Sequence, residues 1–389
     1  MNNHPKKIFI FAGEPSGDLH GSRLACILKE KAEGICLIGV AGPKMRQQGV
    51  QGPLKMEDFE VMGFTDVIKA FPKLYKHFKL ILHSILTSKP DAVVFIDYPG
   101  FNLRMAKALR KKGFQGKLIH YISPSVWAWG KHRIMEMEKT LDLLLTIYPF
   151  EKPHFSESTL EVNFVGSPLK EYMNEYTYHP NWKQITGISN TSRLIALFPG
   201  SRKAEIARNL PIILEAAALL KESNPSVIFG ISSFDEATKH LYKSMIHRFP
   251  ILNESVHLVS KKFSYELMRD SHCAIAKSGT VTLELALHKC PTIVVYKLSL
   301  LNRLYAKYIL NVNLPYYCIV NILADREVFP ELIENGLNPQ NLSRQMQSFI
   351  HEGQKRIDCI QACEEIHKNL GNGKANTQAA ESILRCLQC

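Results

Sequence analysis

The sequence predicts an α/β protein made of two doubly wound units in tandem, and three observations carry that prediction. Its 389 residues exceed what one ordinary core accommodates. Short unbroken apolar runs alternate with helical stretches, the pattern of parallel strands covered by helices on both faces. The alternation lapses in a polar stretch at 170–192, interrupted by Tyr178-His179-Pro180-Asn181, and then restarts. An N-terminal domain 1–168, a connector 169–192 and a C-terminal domain 193–389 follow, with terminal helices that cross back or reach a partner subunit.

Residues 6–12 read as the first strand, followed by a helix over about 19–32 and a strand over 35–40. The first loop, Gly13-Glu14-Pro15-Ser16-Gly17-Asp18, stands where a dinucleotide enzyme carries Gly-x-Gly-x-x-Gly. Only Gly13 and Gly17 fit, at the wrong spacing, which favours a loop orienting a polar substrate through Glu14, Ser16 and Asp18. Ser16 or Asp18 as a helix N-cap is the structural alternative.

Residues 59–79 carry Phe64, Val67, Ile68, Phe71, Leu74, Tyr75 and Phe78 at helical spacing, flanked by Lys69, Lys73, Lys76 and Lys79. That is the pattern of an interfacial helix on anionic lipid, the alternative being a domain helix with solvated lysines; Pro72 should kink it or start a second helix.

The next strand, 91–97, ends in Asp97, and a helix spans 102–112. A carboxylate at the carboxyl end of a buried strand is suited to taking a proton from a hydroxyl nucleophile, whereas Asp91 begins the same strand at the opposite edge and reads as structural. Asn102 is placed to cap the helix. Strands at 117–122 and 141–147 flank Ser123-Pro124-Ser125-Val126-Trp127-Ala128-Trp129-Gly130. Trp127 and Trp129 suit stacking on a sugar or sealing the domain edge. A strand at 162–165 ends the first unit.

In the second unit, the strand 194–198 runs into Pro199-Gly200-Ser201-Arg202 and a helix over 203–222. Arg202, entering a helix N-terminus, suits a bidentate pairing with a diphosphate. A strand at 226–231, a helix at 235–248 and a strand at 256–260 follow. The apolar run 273–276 then stops at Lys277-Ser278-Gly279-Thr280 before a helix bearing Leu283, Glu284, Leu285 and Leu287. Small residues at Ser278 and Gly279 open the backbone to a ligand, and unpaired N–H groups favour an anion. Glu284, on the first turns, suits sugar hydroxyls. After a strand at 291–296, helices are expected at 328–335, 339–350, 354–370 and 376–387.

Bulk composition narrows the function. With 48 Lys+Arg against 36 Asp+Glu, the net charge of +12 favours polyanions, phosphorylated substrates or an anionic membrane surface. No recognised RNA- or DNA-binding motif is present, and no nucleic acid partner is expected. No apolar run approaches the roughly 20 residues that cross a bilayer, and no signal peptide is recognisable, so a cytoplasmic location is expected. The nine scattered cysteines read as free thiols; no metal ligand set and no metal-carboxylate Asp-x-Asp motif is recognised, so a metal-independent reaction without cofactor is expected.

These segments together resemble the lipid-A-disaccharide synthase family along nearly the whole chain. The resemblance rests on Ala12 to Asp18, Val61-Met62-Gly63, Asp97-Tyr98-Pro99-Gly100-Phe101-Asn102, Ser123 to Trp129, Pro149-Phe150-Glu151-Lys152, Pro199 to Arg202, Ser278-Gly279-Thr280 with Glu284, and Asn321-Ile322-Leu323-Ala324. It implies a GT-B fold, two Rossmann-like domains with parallel sheets facing across a cleft, and an inverting transfer in lipid A synthesis. UDP-2,3-diacylglucosamine would be joined to 2,3-diacylglucosamine 1-phosphate by a β(1→6) bond, releasing UDP. Asp97 would be the general base, with Glu14 near the reacting groups. Gly200, Ser201, Arg202, Ser278, Gly279, Thr280 and Glu284 would hold UDP, and Asn321 would approach the nucleotide. Ser16, Asp18, Ser123, Trp127 and Trp129 would belong to acceptor or cleft loops, and the segment from Val61 and Met62 through Lys76 to the membrane or acyl chains. The family also implies peripheral association with the inner membrane and a homodimer exchanging its C-terminal segment. One departure stands out: Asn321 follows Cys318-Ile319-Val320, where family members carry Ser-Leu-Pro.

Overall fold

The computed structural model describes residues 5–59, 64–128, 133–190, 192–233, 236–297 and 314–388. The chain forms two compact units, Met1–Asn174 with Leu370–Cys389, and Glu175–Asn369. The stretch 169–192 is therefore shared between them and holds helical turns.

The first unit is built on six parallel strands: β1 (Lys7–Ala12), β2 (Cys36–Val40), β3 (Ala92–Ile96), β4 (Lys117–Tyr121), β5 (Leu143–Thr146) and β6 (Glu161–Phe164), in spatial order β2-β1-β3-β4-β5-β6. Alternate side chains leave opposite faces of a strand. On β1, Ile8, Ile10 and Ala12 enter one apolar core while Phe9 and Phe11 enter the other, all fully buried. Burial on both faces is why residues 8–12 and 92–96 read as unbroken apolar runs.

Helices α1 (Pro15–Lys31), α2 (Pro43–Gln47), α3 (Phe64–Ser88), α4 (Pro99–Lys111), α5 (Arg133–Thr140) and α6 (Pro168–Glu175) connect these strands or follow them. α1 starts four residues earlier than expected because Pro15 suits a first helical turn. α3 is a single helix with Pro72 inside it, rather than two.

The second unit repeats the plan with β7 (Arg193–Phe198), β8 (Val227–Ser233), β9 (Val256–Ser260), β10 (Cys273–Lys277), β11 (Thr292–Tyr296) and β12 (Glu331–Ile333), in order β12-β11-β10-β7-β8-β9, again all parallel. Its described helices are α7 (Trp182–Thr186), α8 (Lys203–Ser223), α9 (Glu236–Ile246), α10 (Ser264–Asp270), α11 (Thr280–Leu287), α12 (Ile319–Ala324), α13 (Pro339–Ile350) and α14 (Gln354–Asn369).

The helix expected at 328–335 is instead the edge strand β12. Pro330 disfavours helical geometry at Phe329, and its carbonyl accepts Val294 N–H at 2.9 Å, completing the open edge of β11.

The last helix, α15 (Ala375–Cys386), belongs to the first unit. Ala379, Ala380, Ile383 and Cys386 join the core with Ile10, Ile119 and Tyr121. Buried polar bonds fix its start: Asn376 N–H donates to Glu171 Oε2 at 2.7 Å, and the Tyr121 hydroxyl donates to Asn376 Oδ1 at 3.1 Å.

Candidate active site

Ligands of open parallel sheets gather beyond the carboxyl ends of the strands, where the strand order reverses direction. In the first sheet that point lies between β1 and β3; in the second it lies between β7 and β10. The four loops leaving these strands are the ones carrying Glu14, Asp97, Arg202 and Ser278-Gly279-Thr280. Each switch point therefore gathers two of the motifs in its own unit.

In the first unit, Asp97 and Tyr98 both take left-handed backbone conformations, φ +47° each. Such geometry in consecutive non-glycine residues costs energy and persists where the surroundings enforce it. Asp97 N–H donates to Tyr121 O at 2.9 Å, and the wholly buried Asn102 side chain donates to the Asp97 carbonyl. Asn102 thus braces the turn by its side chain. Gly13 packs closely opposite: a Cβ there would meet the Tyr98 ring at 3.0 Å, a tight contact that the ring would have to shift to relieve. Burial raises the Asp97 carboxyl above the ordinary aspartate range, opposed in part by the Tyr98 N–H. Tyr98 is raised too, by burial and then by the negative charge of Glu14, so the two loops are electrostatically in touch.

Glu14 and Ser16 are exposed at the start of α1. Asp18, expected in a substrate loop, is buried and caps another helix, accepting the N–H groups of Lys44 at 2.9 Å and Met45 at 3.0 Å. Ser123 is buried and donates to Pro124 O at 3.2 Å. Trp127 packs edge-on against Phe150, which stacks on Tyr148. Trp129, Val61 and Met62 lie outside the described residues, as do the side chains of Phe64, Val67, Ile68, Lys69 and Phe71. Along the rest of α3, Lys73, Tyr75 and Lys76 are exposed, but Leu74 is half-buried and packs on the domain core, so it leaves the lipid-facing set.

Sequence reasoning overlooked Glu151. It lies just past the carboxyl end of β5 and accepts Ile147 N–H and Tyr148 N–H, both at 3.0 Å. Burial pushes its carboxyl up to about 7, against those two N–H groups and the facing Trp127 indole. Desolvation raises the Tyr148 phenol, and the negative charges of Glu151 and then Asp97 raise it further, so the three groups share one electrostatic neighbourhood. The available signal was a carboxylate in Pro149-Phe150-Glu151-Lys152, directly after a strand.

In the second unit, Gly200 sits at φ +132°, and a side chain there would strike Glu205. Ser201 and Arg202 are exposed ahead of the 21-residue α8. Glu205 occupies this amide-lined mouth, accepting Ser201 N–H at 3.2 Å and facing Lys277 Nζ at 3.4 Å and Arg202 at 3.7 Å. Burial works to raise its carboxyl, but Lys277, the backbone N–H groups and Arg202 outweigh it, and the group is lowered. A carboxylate held this way marks the place as favourable to negative charge.

On the neighbouring strand end, Gly279 and Thr280 are exposed and Ser278 donates to Tyr317 O at 3.3 Å. One turn on, Glu284 receives the Tyr265 hydroxyl at 3.0 Å. Its carboxyl is raised by burial, which outweighs Tyr265 and Lys261.

Asn321 is fully buried and its amide is satisfied within the fold. It donates to Phe329 O and Glu331 Oε1, both at 2.8 Å, and accepts Val328 N–H and Phe329 N–H at 2.9 Å. Its side chain is thus engaged within the fold, where the resemblance implies a nucleotide contact. Asn321→Ala is expected to cost on the order of 3 kcal/mol, since it strands several buried backbone groups. Denaturant unfolding measures this; an unchanged midpoint with UDP binding lost would restore Asn321 as a direct ligand.

Two doubly wound sheets in tandem form the fold of GT-B-type sugar-nucleotide enzymes, and solved structures match it. A Listeria monocytogenes protein described as a UDP-N-acetylglucosamine 2-epimerase gives a TM-score of 0.65 at 14% identity, covering 98% of this chain and 95% of that one. The UDP-GlcNAc 2-epimerase of Neisseria meningitidis bound to UDP-GlcNAc gives 0.63 at 13%, covering 97% and 99%. At such identities the likeness speaks for the fold alone. Sequence narrows the class further: the family model described as lipid-A-disaccharide synthetase matches residues 8–384. The chain belongs to the lipid-A-disaccharide synthase family. The enzyme of Rhodospirillum centenum is 32% identical over 98% of this chain and 95% of its own length. That of Chlamydia pneumoniae is 37% identical over 92% of this chain, which spans 59% of the Chlamydia protein.

Proposed function

We propose that the protein is a lipid-A-disaccharide synthase, transferring the sugar of UDP-2,3-diacylglucosamine to the 6-hydroxyl of 2,3-diacylglucosamine 1-phosphate and releasing UDP. The observation that carries this reading is Asp97, a buried carboxyl with a raised proton affinity, braced by Asn102 at the first sheet's switch point. An inverting displacement needs a base on one reacting group and charge stabilisation on the other. Asp97 takes the proton of the acceptor hydroxyl as the β(1→6) bond forms, and Glu14 lies near the reacting groups. UDP departs onto the amides of Gly200 and Ser201, the Arg202 guanidinium and the turn at Ser278, Gly279 and Thr280, while Glu284 holds its ribose. Arg202 and Lys277 supply charge compensation without requiring a metal.

Acylated substrates bring the protein to an anionic membrane surface, to which the lysine-edged exposed side of α3 is suited. Among the described residues, no helix is long and apolar enough to cross that membrane. Association of two copies through the C-terminal segment belongs to the same reading.

The test is UDP release with acylated donor and acceptor beside their deacylated forms. Release is expected with the acylated pair. Turnover of UDP-N-acetylglucosamine alone, the chemistry of the epimerases sharing this fold, would overturn the assignment.

A further inference from the structure

The proposed mechanism uses Glu284 and leaves the side chains behind it unassigned. Tyr265, on α10, donates its hydroxyl to Glu284 Oε1 at 3.0 Å. Its ring is enclosed by aromatic partners: Tyr176 stands edge-on at 4.9 Å between centroids, and His288 lies at 5.3 Å. Tyr176 is anchored in turn by its hydroxyl on Glu266 Oε2 at 3.2 Å and is packed against Tyr178 at 5.0 Å.

The main chain of Glu284 is fixed as well. His288 Nδ1 lies 2.7 Å from the Glu284 main-chain carbonyl, and His288 Nε2 lies 3.0 Å from the Tyr178 hydroxyl. A carbonyl only accepts, so Nδ1 carries the proton and Nε2 accepts from Tyr178. Burial, with Arg269 nearby, lowers His288 to about 4, so it is neutral at physiological pH. Glu284 is thus held at its backbone by His288 and at one carboxylate oxygen by Tyr265.

A half-buried carboxylate recognises neighbouring hydroxyls well only when its orientation is set before they arrive. We propose that Tyr265 is a positioning residue for nucleotide binding, its hydroxyl holding the Glu284 carboxylate in the orientation that accepts the ribose hydroxyls of the donor and of UDP. This rests on the reading of Glu284 as the ribose contact. The stabilising bond from Tyr265 also offsets the effect of burial, keeping the carboxylate ionised to lower pH.

The experiment titrates UDP and 2′,3′-dideoxy-UDP calorimetrically into the full chain, its Tyr265→Phe variant and its Glu284→Gln variant. Phenylalanine keeps the ring within its aromatic surround and removes only the hydroxyl. The wild type is expected to bind dideoxy-UDP about tenfold more weakly than UDP, and Glu284→Gln to lose most of that preference. Tyr265→Phe should weaken UDP about 3- to 10-fold, leave dideoxy-UDP unchanged, and raise the donor KM with kcat preserved. Its UDP affinity should also begin to fall at a higher pH on acidification than that of the wild type.

Wild-type UDP affinity in Tyr265→Phe, or equal weakening of both ligands, would overturn the role of Tyr265 while leaving the ribose contact standing. Equal affinity of the wild type for both ligands would instead remove the ribose reading of Glu284, and the proposal with it.

Discussion

Asp97→Asn is expected to lower turnover by about 10²- to 10⁴-fold, the usual contribution of a positioned general base, with UDP affinity unchanged. Asparagine preserves shape at a site where Asp97 N–H bonds Tyr121 O and Asn102 grips the Asp97 carbonyl. The pH profile gives a second reading. Since only the ionised carboxylate accepts a proton, kcat/KM of the wild type rises with pH through the Asp97 pKa. Burial puts that limb above the ordinary aspartate value of 3.8.

Stability has the opposite sign. The folded state binds the proton more tightly than the unfolded chain, so the contribution of Asp97 to stability is fully present at low pH and is lost as pH rises through its folded value. At neutral pH the variant should therefore be at least as stable as the wild type. Undiminished turnover would remove Asp97 as the base, and a lowered melting temperature at pH 7 would point to unfolding instead.

Arg202→Ala is expected to weaken UDP by about 10- to 100-fold, the worth of one or two charge-assisted hydrogen bonds to a diphosphate. The fold should be indifferent to the change: the Arg202 side chain is 84% exposed, and Glu205 keeps Lys277 at 3.4 Å. Calorimetric titration checks both halves. Unchanged affinity would move the diphosphate away from the mouth of α8.

Particular residues show what could be read in advance. Strands buried on both faces announce themselves as apolar runs, which is why β1, β3, β7 and β10 and the loops beyond them were recognisable without coordinates. Strand order was not, because Lys277 meets Glu205 only once β10 lies beside β7. Asp18 was misjudged for a similar reason: the backbone groups it caps lie 26 and 27 residues further along the chain. Asn321 resembled a ligand by its motif and serves as a bracket because of the neighbouring Phe329 and Glu331. β12 was mistaken for a helix because three residues carry too little periodicity, and only the open edge of β11 decides their conformation. Glu151 was hidden because burial is a property of the folded chain.

The return of α15 to the first unit sets an order on synthesis. The second unit is contiguous, Glu175–Asn369, and has all its sequence while the first still lacks Leu370–Cys389. At elongation rates of about 5–20 residues per second, the sheet face built from Ile10, Ile119 and Leu145 waits roughly 10–40 s for Ala379, Ala380 and Ile383 to cover it. The first unit, although its sheet is synthesised before the second unit, therefore closes only after the second unit's sequence is complete.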